Sequence, residues 1–224
     1  MNGSISSALT IFKKDILSEF RTRYALNALL MFVITTLSII LFSIGNESVS
    51  PELLSGVLWI IIFFSTMSGL SRTFVSEEER GTVMTLHLIA RPLPIYFGKL
   101  LFNLLLLGGL NIFTVVLYLV VVTGFSVGNY SIFAVTIFLG TIGLASASTI
   151  IAAIIAKANT RGTLYPVLSF PILLPLLLTV INATKLAVDG AAFIDALGEF
   201  QILASYTIVI TAISFILFEY IWKE

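Results

Sequence analysis

The sequence predicts an all-α membrane protein, a single bundle of six transmembrane helices over residues 1–224. An amphipathic helix precedes the first span and a coupling segment joins the second to the third. Three observations lead there. Apolar residues make up 58% of the 224 and charged residues only 11%, a balance foreign to a soluble domain of that size. Six stretches reach the roughly 20 apolar residues that a helix needs to cross a hydrocarbon core of ~30 Å. They run over about 26–44, 53–70, 95–122, 131–156, 163–182 and 201–222, which leaves no second, soluble domain. Finally, eleven of the twelve Lys and Arg residues fall on one side of these spans, and only Lys185 falls on the other. Cations resist translocation, so both termini are expected in the cytoplasm and the number of spans is even.

The first element, residues 4–24, carries Leu9, Phe12, Ile16 and Phe20 at helical spacing, with Lys14, Ser18 and Arg21 on the other side. Such a helix lies in the membrane interface, either as a plain positive-inside anchor or as an elbow that braces the bundle. Residues 1–25 lack the apolar core and cleavage site of a removable signal, so the first span is expected to serve as its own targeting signal. The chain contains no cysteine, which excludes disulfides, thiolate metal sites and thiol redox chemistry.

Between the second and third spans stands the segment 71–94. Ser76 followed by Glu79 has the spacing of a capping box, and Glu77 and Glu78 add negative charge where a helix dipole is positive. A helix is expected to start there and to end at Arg91-Pro92. Val83, Met84, Leu86, Leu88 and Ile89 would cover more than one face of its three turns. They must be buried in lipid, in the bundle or in a partner's groove. Pro92, Pro94 and Lys99 restart the chain into the third span, so motion of this helix would reach that span.

In the third span, Asn103 and Asn111 fall on one half of the helix and either bond across the bundle or line a cavity, while Gly108 and Gly109 read as packing positions. The fourth span carries Gly140, Gly143 and a run of small residues that let a neighbour approach closely. Pro166, Pro171 and Pro175 are expected to kink or loosen the fifth. No ionisable residue lies near the middle of a span, which argues against a proton-coupled transporter or a charged-substrate channel. Outside, residues 183–200 form either a short re-entrant or surface helix or a loop. His87, the only histidine, falls in the coupling segment and reads as a packing or interface residue rather than a haem ligand.

The run Glu79-Arg80-Gly81-Thr82, followed by apolar residues, a proline and Gly98-Lys99, resembles the cytoplasmic signature of ABC-2-like exporter permeases. Four further blocks narrow the likeness: Lys14-Asp15 through Glu19 to Arg21 and Arg23; Gly56-Val57-Leu58-Trp59; the Phe170 to Leu178 stretch with Pro171 and Pro175; and Leu217-Phe218-Glu219-Tyr220. Together they resemble the haem exporter B family, CcmB, of cytochrome c maturation. The chain departs from that pattern at Met84 and His87.

The resemblance implies a multi-pass permease subunit of the bacterial inner membrane, not itself an enzyme, in keeping with the lack of a Gly-rich phosphate loop. It implies a CcmA-type ATPase as motor, CcmC- and CcmD-like membrane partners and a CcmE-type haem chaperone. A second permease copy and membrane lipids are also implied, and no nucleic acid. No cofactor is expected on the chain itself: ATP belongs to the partner, and haem is the molecule handled or moved. The expected ATPase-coupling residues are Glu77, Glu78, Glu79, Arg80, Gly81, Val83, Leu86, Pro92 and Lys99. A generic exporter of a lipid, polymer or drug is the alternative.

Overall fold

The computed structural model describes residues 2–45, 49–79, 81–157 and 165–223, and no strand occurs among them. Helix α1 (Asn2–Thr22) leads into α2 (Tyr24–Ile44) and α3 (Pro51–Leu70). Two short helices, α4 (Val75–Glu79) and α5 (Val83–Ile89), precede α6 (Pro92–Val121), α7 (Tyr130–Lys157) and α8 (Tyr165–Val188). A 3-10 turn (Phe193–Ala196) opens α9 (Leu197–Lys223). Six of these segments are long and apolar enough to cross a membrane.

Helix α7 is the hub. It packs on α8, α9, α6, α3 and α4, and its small residues explain how. A methyl group on Gly140 would stand 2.5 Å from the Trp59 ring, and one on Gly143 would stand 2.2 Å from a methyl of Leu176. Gly108 and Gly109 differ from the packing role expected of them, because a Cβ added at either meets nothing within 4 Å. The α6–α7 seam is held instead by side-chain amides. Asn103 donates to Thr149 over 2.8 Å and accepts from Thr73, and Asn111 donates to Thr141 over 2.9 Å.

The fifth span runs further than expected, to Val188, because nothing breaks the helix before Gly190 takes a φ of +71°. The added turn carries Thr184, which accepts the Trp59 indole N–H over 2.8 Å. What remains of the 183–200 connection is a tight turn and the 3-10 segment. Helix α8 continues through Pro171 and Pro175, and the Tyr206 hydroxyl donates to the Ile172 carbonyl beside them.

Asn129 ties the two connections at this end of the bundle together. Its backbone N–H donates to the Ala187 carbonyl and its side-chain amide to the Ala191 carbonyl. Its side-chain oxygen accepts from the first backbone N–H groups of α7, those of Ser131 and Ile132. Gly128 lies so close to Gly190 that a Cβ there would approach the Gly190 Cα to 2.7 Å.

Candidate functional site

At the opposite end of the bundle, the segment between α3 and α6 folds as two helices rather than one. Gly81, with a φ of +66°, separates α4 from α5, a backbone state that costs a residue with a side chain about 1 kcal/mol or more. The capping box expected from Ser76 and Glu79 does not form: α4 begins one residue earlier, and the Glu79 carboxylate accepts from Arg72 at 3.1 Å. The end of α5 is where the sequence places it, since Arg91 is extended before Pro92, the first residue of α6.

Glu77 is the centre of the site. Its carboxylate accepts from Lys14 of α1 at 2.6 Å, from Lys99 of α6 at 2.7 Å and from the Thr82 hydroxyl. Lys99 also approaches Asp15 of α1 at 2.9 Å, an ion pair whose angle lies off the hydrogen-bond direction. The side chains of Glu77 and Lys99 are only 8% and 4% exposed. Isolated charges so buried would each cost several kcal/mol, so two acids and two ammonium groups must hold one another. Partial burial opposes the charge on Lys14, but the hydrogen bond to Glu77 and the nearby Asp15 outweigh it and keep the ammonium above its ordinary pKa.

Lys99 comes within reach because α1 lies directly on α6. The turn that makes this possible contains Gly98, and α1 buries Ala8, Ile11 and Asp15 against it. The stripe that carries Leu9 and Phe20 stays on the outside of the bundle, beside Ile5 and Leu17, and a different face of α1 meets α6. The chain then turns sharply at Arg23, φ 52°, and the Glu19 carboxylate accepts from the free backbone N–H of Leu26 at the start of α2.

The segment also grips the last helix. Phe74 packs at 5.6 Å from Phe218 and 6.0 Å from Trp222, and Tyr96 of α6 joins the same cluster at 5.2 Å from Phe218. Three helices therefore converge on one short connection: α1 and α6 through Glu77, and α9 through Phe74.

The residues singled out from sequence divide by environment. Glu77, Leu86 and Lys99 are buried, Val83 and Pro92 are partly covered, and Glu78, Glu79 and Gly81 are exposed. Arg80 and the side chain of His87 lie outside the described residues. Gly140 and Gly143 are buried on α7, whereas Pro171 and Pro175 lie on the exposed side of α8. Among the apolar residues of α5, Met84 and Leu88 stand outward, 75% and 85% exposed. Sequence reasoning missed the roles of Lys14, Asp15, Thr82 and Phe74. The signal available for the first two was a Lys-Asp pair on a helix otherwise suited to an interface.

Such an arrangement can transmit force: a rigid charged joint faces inward, and a small apolar and acidic surface faces outward. No curated protein matches the chain. The family described as CcmB protein matches residues 6–219, nearly the whole length. Its members are membrane permease components of the haem-exporter ABC system of cytochrome c maturation, and this chain belongs to the CcmB family.

Proposed function

We propose that this protein couples ATP hydrolysis by a separate CcmA-type ATPase to haem export or to release of a haem-loaded CcmE-type chaperone, with CcmC- and CcmD-like proteins alongside. In this reading both termini and the α4–α5 segment face the cytoplasm of a bacterial inner membrane. The ATPase docks on the outward surface of Met84 and Leu88, flanked by Glu78 and Glu79. Gly81 lets the two short helices change angle, and the buried residues carry the movement inward.

One observation carries the reading: the Glu77 carboxylate binds Lys14 and Lys99 at once, so displacement of α4 pulls on α1 and α6 together. A helix serving only as a surface tether has no need of a buried ion-pair joint. Family membership favours the maturation system over general export.

The test is co-purification from mild detergent with the native partners present. Met84→Asp combined with Leu88→Asp is expected to lose the ATPase. Glu77→Gln is expected to retain it but to lose the dependence of ATP hydrolysis on the haem-handling subunits. Recovery of the ATPase with the double aspartate variant would overturn the docking surface. Normal coupling in Glu77→Gln would overturn the joint.

A further inference from the structure

Between α1, the first turns of α2, the end of α3 and α6 lies a cleft of about 740 Å³, within the ordinary size range of small-molecule sites. Its two ends differ in chemistry. At one, Lys14, Arg72 and Glu79 face the opening, and all three are substantially exposed. At the other, Ala28 of α2 faces Phe102 and Leu106, which lie a turn apart on α6. From the start of α6, Leu106 is about 20 Å along the helix axis, so the apolar wall extends well into the depth of the bundle.

The balance of charge decides what such a cleft can hold. Three cationic and four acidic side chains line it; Lys99 and Lys14 both bond Glu77, but Lys14 is half-exposed and has N–H donors left toward the opening. A dianion, such as a porphyrin with two carboxylates, or a lipid with a net negative headgroup, would meet an excess of acid. A zwitterion finds both signs available. Arg72 and Glu79 are paired only with solvent around them, an interaction worth about 1 kcal/mol or less, so a headgroup can replace each partner at little cost. Glu79 also favours an ammonium that carries N–H donors over a quaternary one.

We propose that this cleft binds a phospholipid with a primary-amine headgroup. The phosphate lies between Lys14 and Arg72, the ammonium at Glu79, and one acyl chain along Ala28, Phe102 and Leu106. A lipid so placed would wedge α1, α2 and α6 at a fixed spacing, next to the joint formed by Glu77. The inference stands on the cleft alone and does not depend on the ATPase reading.

The experiment is native mass spectrometry of the full chain in detergent, offered phosphatidylethanolamine, phosphatidylcholine and phosphatidylglycerol with identical acyl chains, and haem in a separate arm. Phosphatidylethanolamine is expected to be retained about tenfold over the other two. Ala28→Trp, which fills the cleft from an exposed position, is expected to remove that retention. Met31→Trp, on the outward face of the same helix, leaves it intact and controls for folding. Glu79→Gln is expected to bring phosphatidylethanolamine and phosphatidylcholine to equal retention. Equal retention of the three lipids by the unaltered chain, a preference for phosphatidylglycerol or haem, or indistinguishable behaviour of Ala28→Trp and Met31→Trp would overturn the proposal.

Discussion

Gly98 faces Ile11 so closely that a Cβ at position 98 would stand 2.8 Å from the Ile11 Cβ and equally near the Ala8 carbonyl oxygen. Backbone and a β-branched carbon cannot swing aside as a flexible side-chain tip can. Gly98→Ala is therefore expected to lift α1 from α6 at a cost of about 1–3 kcal/mol. Trypsin should then cleave within α1 faster, at Lys13 or Lys14. An unchanged digestion pattern would mean that α1 is held mainly elsewhere.

The four charges at Glu77 predict strong non-additivity. Lys99→Met alone leaves Asp15 and Glu77 with only Lys14 between them, and is expected to cost about 3–5 kcal/mol. Adding Glu77→Met restores the balance by leaving Lys14 with Asp15, so the double variant should be more stable than the sum of its parts by more than about 1 kcal/mol. Thermal unfolding in detergent measures both, and simple additivity would break the link.

Two glycines separate packing from composition. Gly140→Ala pushes a methyl group into the Trp59 ring, which its bond to Thr184 keeps from turning away, and is expected to destabilise by about 1–3 kcal/mol. Gly109→Ala meets nothing and should stabilise by about 0.5–1 kcal/mol through helix propensity. Melting temperatures that move in the same direction would contradict this contrast.

Asn103 links the α4 approach, at Thr73, to α7, at Thr149. Asn103→Leu should cost about 0.6–1.7 kcal/mol, the range for hydrogen bonds between membrane helices. The Thr73 hydroxyl also loses its acceptor, so the turn around it should loosen and its amides exchange faster. Exchange confined to α6 would argue that the asparagine serves only its own helix.

The six spans were legible because length and apolarity alone specify a membrane helix, and the family likeness was legible because its blocks cover the chain. The division of the coupling segment was not. Glu77, Glu78 and Glu79 look alike in sequence, and only the arrival of Lys14 and Lys99 from distant positions turns the first inward while the other two stay in solvent. The face by which α1 docks on α6 was not legible either. The apolar residues of α1 wrap far enough around the helix that lipid and protein faces are both greasy, and Gly98, far along the chain, decides which face docks. Gly108 and Gly109 show the same limit in reverse, since a small residue reveals room for a neighbour without revealing that one comes.

Asn129 gives the bundle a fixed end. With its bonds to Ala187 and Ala191 intact, the connections that close α6–α7 and α8–α9 cannot separate. A rigid helix pinned at one tip moves most at the other, by an amount proportional to its length. Across the 30 residues of α6, or about 45 Å, a tilt of a few degrees becomes a displacement of a few ångströms at Pro92. In the proposed coupling, the long helices would act as levers held near Asn129 and moved from Glu77.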